Sequence, residues 1–264
     1  MGFSVCMIGN SHVAALKLAW SNRPPEIKDG TTITFFSAQN RLMSRIERKG
    51  AKLVSGSEEL AEKLRYTSGG QDSIKLKEYD AFVLVGSGFG IDIPRLTEEC
   101  GTIAPAGGEK LMSQSMLSAT VEAHMEKSMS LQLSRTIREV TDVPIVLVGA
   151  PFVSERELLE PPLSGQPWLK DKAFLVPYVE ACRAAGERVA KRAGFSIVWQ
   201  AEETYALPGF TSETFNRNPV RFQMRGPNTP EFDAKHGNED YGVLMLGRIL
   251  ERLDTLSGGR VLAA

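Results

Sequence analysis

Apolar residues fall along this chain in short dense runs, separated by longer stretches with helical spacing. Phe3 to Ile8, Thr31 to Phe36, Ala81 to Val85, Ile145 to Val148 and Phe195 to Trp199 are the dense runs, bounded by Gly, Pro or Asp. Runs with no alternation to polar residues are what strands buried on both faces of a parallel sheet look like. Between them, Ser11 to Trp20 reads as a helix stopped by Ser21-Asn22-Arg23-Pro24-Pro25. A long helix is expected over much of Glu109 to Val140, and another from about Pro177 to Arg192. In the latter, Tyr178, Cys182, Ala185 and Val189 recur on one face. A last helix is expected from near Asn238, a suitable N-cap, with Leu246, Ile249, Leu250 and Leu253 turned inward. Strand alternating with helix predicts a doubly wound α/β sheet, whose ligands sit at the carboxyl ends of the strands.

Two stretches break the alternation. Residues 151–169 carry Pro161-Pro162, Gly165 and Pro167-Trp168; residues 207–232 carry four prolines and Arg217, Arg221 and Arg225. Both follow expected strands, so both are expected as long loops over the active face. With no internal repeat, low-complexity tract or linker, residues 1–264 read as one domain.

Composition narrows the classes. Thirty-one Lys and Arg against 32 Asp and Glu give a net charge of -1, so charge implies neither a nucleic acid nor a membrane surface as partner. Mean hydropathy is -0.16, no apolar stretch is long enough to span a bilayer, and the first apolar run lacks a basic leader. A cytoplasmic location is expected. Cys6, Cys100 and Cys182 form no CxxC pair and no cluster with the three histidines, so free thiols are expected and no metal site.

The candidate chemistry lies at the two ends. Val5-Cys6-Met7-Ile8 runs straight into Gly9-Asn10-Ser11-His12, placing a hydroxyl where a strand gives way to a helix. Such a serine is either the helix N-cap or a nucleophile beside free backbone N–H groups that favour an oxyanion. Near the other end, Asp233 stands three residues before His236, within reach of its imidazole across a turn. A serine nucleophile needs that base, and the base needs a third group to fix its tautomer.

Gly9-Asn10-Ser11-His12 after the first strand, with Asp233-Ala234-Lys235-His236 before the last helix, resembles the first and last blocks of the SGNH hydrolases, also called GDSL-type esterases. The resemblance implies a divergent member with a flavodoxin-like three-layer α/β/α sandwich of about five parallel strands. It also implies Ser11 as nucleophile, His236 as base and Asp233 as its orienting acid. The activity implied is hydrolysis of an acyl ester without a cofactor; the Trp168 and arginine-bearing loops, which could cover a polar substrate, add the expectation of a small or carbohydrate-linked ester. An acyltransferase on the same triad and a non-catalytic binding protein on the same fold are the alternatives. Asn10 replaces the family's usual Asp. For the oxyanion, Gly86 fits the family's glycine after the third strand. Gly88 stands where the family has Asn, and Ser87 and Asn40 are further candidates.

Other residues are read more plainly. The spacing of Gly86-Ser87-Gly88-Phe89-Gly90 is not that of a dinucleotide loop, so no nucleotide cofactor is expected. His12 points about a quarter-turn from Ser11 and is expected against a neighbouring loop. His124 is expected semi-buried on the long helix, among core methionines Met112, Met116 and Met125. Arg217, Arg221 and Arg225 are read first as solvated charge, the alternative being a loop that binds an anionic group of the substrate.

Overall fold

In the computed structural model, the described residues are 2–24, 30–100, 111–222 and 231–261. Strand β1 (Phe3–Gly9), helix α1 (Val13–Ser21) and strand β2 (Thr31–Ser37) open the chain. The short helix α2 (Asn40–Met43) leads into β3 (Ile46–Lys49), β4 (Lys52–Ser55), α3 (Glu58–Ser68) and β5 (Ser73–Lys75). Then come β6 (Ala81–Val85), α4 (Ile93–Cys100), α5 (Gln114–Glu126), α6 (Met129–Arg138) and β7 (Ile145–Val148). Helix α7 (Lys172–Ala193), β8 (Ser196–Val198), the pair β9 (Tyr205–Leu207) and β10 (Phe210–Thr211), and α8 (Glu239–Ser257) complete it.

Five strands form one parallel sheet in the order β2-β1-β6-β7-β8. The order reverses at β1, so the chain winds outward in opposite directions from the β1/β6 junction. The carboxyl ends there diverge into a crevice, the usual ligand position in such sheets. Side chains alternate between two cores, as the pleat requires. Cys6, Ile8, Phe82, Leu84, Ile145 and Leu147 meet α3, α5, α6 and α7 on one face. Val5, Met7, Val83, Val85, Val146 and Val148 meet α1 and α8 on the other. The result is the three-layer α/β/α sandwich.

Several boundaries differ from the sequence pattern. The long helix is two, α5 and α6, broken at Lys127-Ser128, where Ser128 Oγ accepts from Leu131 N–H and starts a new helix. Glu109 lies outside the described residues. Helix α7 begins at Lys172, capped by Asp171, and carries Pro177 in its interior. Burial of Phe174, Leu175 and Tyr178 outweighs the backbone bond a proline forgoes. The three-stranded antiparallel sheet β3-β4-β5 escaped the pattern, because β3 is mostly exposed and highly charged. The 151–169 stretch forms 3-10 turns at Glu155–Leu159, Leu163–Gly165 and Pro167–Lys170. Cys6 and Cys182 are buried free thiols. No described helix is long and apolar enough to cross a membrane.

Helices α1 and α8 pack closely enough that a Cβ on Gly242 would sit 2.3 Å from the Ala15 carbonyl oxygen. Helix propensity alone favours alanine over glycine by about 1 kcal/mol. A clash with backbone, which cannot rotate away, costs about 1–3 kcal/mol. The clash should win: Gly242→Ala is expected to lower the urea midpoint with an unchanged m-value. A raised midpoint would mean that the two helices separate freely.

Candidate active site

The Ser11 turn is built by removing side chains. A Cβ on Gly9 would lie 2.4 Å from Val85 O, so only glycine lets β1 leave the sheet this close to β6. The turn is held from the β2 side by Ser37 Oγ, within 2.9 Å of Gly9 O and 2.8 Å of Asn10 O. Helix α1 then starts at Val13, one turn of backbone having closed through Val13 N–H to Asn10 O at 3.1 Å. His12, not Ser11, holds the N-cap position. The Ser11 hydroxyl therefore does not cap α1; it lies 2.8 Å from His236 Nε2.

The loop carrying His236 lies outside the sheet and depends on backbone hydrogen bonds. Asp233 N–H donates to Asn216 O at 3.3 Å, Val220 N–H to Gly237 O at 3.1 Å, and Asn238 N–H to Phe215 O at 2.8 Å. Asn216 Nδ2 donates to His236 O at 3.1 Å, and Ser154 N–H to Ala234 O at 2.9 Å. Segments 154 and 215–220 thus clamp it from both sides. Within the loop, Asp233 Oδ1 accepts from Lys235 N–H at 2.8 Å, and Oδ2 lies 3.0 Å from His236 Nδ1. A carboxylate only accepts, so Nδ1 carries the hydrogen and Nε2 is left to accept from the Ser11 hydroxyl. The Arg221 guanidinium pairs with the same Oδ2.

Electrostatics keep both neighbouring imidazoles neutral. Burial, then the positive charges of Arg221 and Lys235, push His236 down to about 4. The Asp233 carboxylate acts in the opposite direction. His12 packs its ring on that of His236, with centroids 5.1 Å apart and planes at 36°. Burial, followed by His236 and Lys235, lowers His12 to about 3. Its Nδ1 is buried without a hydrogen-bond partner among the described residues. Sequence spacing rightly separated His12 from Ser11, but carried no sign of its contact with His236.

Two cavities flank this chain of groups. One, of about 300 Å³, opens on Ser11 and His236 and includes Ala38, Gln39, Lys63 and Tyr66 in its wall. The other, of about 190 Å³, lies against His12, Gly88, Phe89, Val121 and Lys235. Gly86 has its N–H committed to Val148 O at 2.9 Å, so it is no oxyanion donor; the sheet's last rung has taken that group. The Ser87 hydroxyl is turned inward to Val85 O at 3.4 Å and is buried, which removes its side chain from the site. The carbonyls of Gly86 and Ser87 are tied to the start of α6 through Ser130 Oγ and Met129 N–H. Gly88 remains on the wall of the smaller cavity. Asn40 is exposed on the first turn of α2 and is absent from both walls, whereas Ala38 and Gln39 occupy the position beside Ser11.

The remaining candidates divide. Arg217 pairs with Glu213 at 3.0 Å, and Arg225 lies outside the described residues. Trp168 packs against the core beside α7 and lines neither cavity. His124 is exposed at the rim of the smaller cavity; Met112 and Met125 are core and Met116 is exposed. Among the described residues, no group of three or more His, Cys, Asp or Glu side chains is arranged to hold a metal ion.

Both lowered histidines make folding sensitive to acid. The unfolded chain takes up these protons near 6.5, whereas the folded protein resists until about 4 at His236 and about 3 at His12. Stability is therefore full above 6.5 and falls as pH drops through that window, with a slope of up to about 1.4 kcal/mol per pH unit for each histidine. His12→Asn should make the decline from neutral pH to about pH 5 measurably shallower in urea titrations. An unchanged slope would mean that His12 is protonated in the folded protein.

No family model matches the chain, and no curated protein matches it. Solved structures do. The periplasmic domain of a lipopolysaccharide acetyltransferase from Salmonella ser. Paratyphi A is 12% identical, over 96% of this chain and 84% of that one, with a TM-score of 0.43. A DUF4886 family protein from Bacteroides uniformis is 10% identical, over 98% and 84%, with a TM-score of 0.42. The salicylyl-acyltransferase SsfX3 from a tetracycline biosynthetic pathway is 13% identical, over 99% and 56%, with a TM-score of 0.38.

Proposed function

We propose that this chain is a serine hydrolase of acyl esters, of the SGNH type, with Ser11 as nucleophile, His236 as general base and Asp233 as its orienting acid. The observation that supports this most directly is the continuous hydrogen-bonded series Ser11 Oγ, His236 Nε2, His236 Nδ1, Asp233 Oδ2, at 2.8 and 3.0 Å. It joins residues 225 positions apart in the chain, at the crevice where the sheet order reverses.

In this mechanism Ser11 Oγ attacks the ester carbonyl as His236 Nε2 takes the hydroxyl proton. The tetrahedral oxyanion is held by the Ser11 backbone N–H at the amino end of α1 and by backbone N–H groups of the Ser87-Gly88 turn. Both turn residues have positive φ, +54° and +81°. His236 then passes its proton to the leaving alcohol, and an acyl-serine remains. Water, deprotonated by the same imidazole, attacks the acyl-serine and restores the hydroxyl. The substrate class proposed is a small or carbohydrate-linked acyl ester.

A fluorophosphonate probe is expected to label the protein, and Ser11→Ala to abolish both labelling and turnover of 4-nitrophenyl acetate. His236→Ala should lower kcat/KM by roughly a thousandfold or more. Activity within a few-fold of the parent would remove His236 from the mechanism. A base must be unprotonated to act, so lowering His236 moves the acid limb of kcat/KM down. The limb is expected near pH 4, with a plateau through neutrality. A limb near 6.5 would contradict the field described at His236. Product analysis with and without a sugar alcohol separates hydrolysis from transfer to an acceptor.

A further inference from the structure

The cavity that opens on Ser11 has a chemical bias. Lys63 and Arg221 both reach its wall, together with the rings of Tyr66 and Phe222, and no described carboxylate lines it. Arg221 is partly engaged by Asp233 behind the wall. Lys63 has no ion-pair partner among the described residues, although its neighbour Glu59 is engaged by Arg41 and Arg45. A third cation stands close by, since Lys17 Nζ lies 5.9 Å from the Tyr66 ring centre and donates to Thr67 O at 2.6 Å.

This face is held rigidly relative to the nucleophile. Thr67 Oγ1 donates to Ser37 O at 2.8 Å and Ser37 N–H approaches the same hydroxyl at 3.2 Å. Ser37 Oγ in turn meets the carbonyls of Gly9 and Asn10, immediately before Ser11. Lys63 and Thr67 are four apart on α3 and share a face. One series of hydrogen bonds thus fixes the Lys63–Tyr66 face of α3 against the Ser11 turn.

We propose that this cavity binds the alcohol portion of the substrate, a sugar bearing a carboxylate or phosphate, with the anion on Lys63 and Arg221 and the ring against Tyr66 and Phe222. The assignment to the alcohol portion rests on the hydrolase proposed above. At about 300 Å³ the cavity is at the small end of ligand pockets, which suits a single sugar unit. Guanidinium and ammonium groups recognise carboxylate and phosphate through charge-assisted hydrogen bonds, and aromatic faces accept the apolar face of a sugar ring.

The test is calorimetric titration of the full chain carrying Ser11→Ala with D-glucuronate, glucose 6-phosphate and glucose. Either charged sugar, or both, should bind at least about tenfold more tightly than glucose, and the preferred one tells carboxylate from phosphate. Adding Lys63→Glu should weaken that binding at least about tenfold with an unchanged Tm, while Lys191→Glu, the same charge change on the exposed surface of α7, leaves it intact. Equal binding of all three sugars, no binding, or binding indifferent to Lys63→Glu overturns the anion site. Fluorophosphonate labelling of the parent protein is scored in parallel. Labelling without anion binding leaves the hydrolase standing and removes this site. Lys63-dependent anion binding without labelling supports the site and removes the hydrolase.

Discussion

The site depends on how closely β1 and β6 run together at their carboxyl ends. Gly9 pairs with Val85 across that junction, and Gly86 follows Val85. A Cβ on Gly9 would strike Val85 O at 2.4 Å, and one on Gly86 would strike Asn10 Oδ1 at 2.7 Å and His12 at 2.8 Å. Gly86 also holds φ at +62°, a conformation that costs other residues steric strain. Removing two side chains lets the Ser11 turn settle onto the β6 turn. The Gly86 N–H is taken from the other side, by Val148 O of β7, and His12 lies directly against Gly86.

His236 approaches this turn from a loop that lies outside the parallel sheet. Its position comes from hydrogen bonds to segments 154 and 215–220, each of modest net worth and costly to leave unmade once buried. Those segments follow β7 and β8, so the irregular stretches after these two strands act as a clamp on the loop carrying His236. Trp168, in the first of them, packs into the core instead.

The field around His236 is divided. Asp233 favours its protonated form, while burial, Arg221 and Lys235 oppose it. Asp233 Oδ2 serves both His236 and Arg221, so an arginine on the cavity wall bears directly on the carboxylate paired with His236. In the proposed hydrolase, substrate recognition and base strength therefore meet at one oxygen atom.

Much of the fold was legible in the chain because burial on both faces of a parallel sheet leaves a local mark: dense apolar runs and helical spacing. Ser11, Asp233 and His236 stood out for a similar reason, since a hydroxyl at a strand-to-helix turn and an acid three residues before a histidine are local patterns. Less was legible where the outcome depends on packing between distant segments. The charged strand β3 gave no apolar signal, and Pro177 looked like a helix start until burial around it was known. Asn40 and Ser87 carry suitable groups, but the backbone turns one outward and the other into the sheet. The contact of His12 with His236, the sharing of Asp233 by Arg221, and the meeting of Lys63 with Ser11 in one cavity join positions far apart in the chain. By itself, the sequence determined the element order and the chemical groups at the two ends. Only the tertiary structure decided which groups meet and which hydrogen-bonding groups are taken up, because both follow from packing between segments far apart in the chain: β1 on β6, the 154 and 215–220 segments on the His236 loop, and α3 on the Ser11 turn.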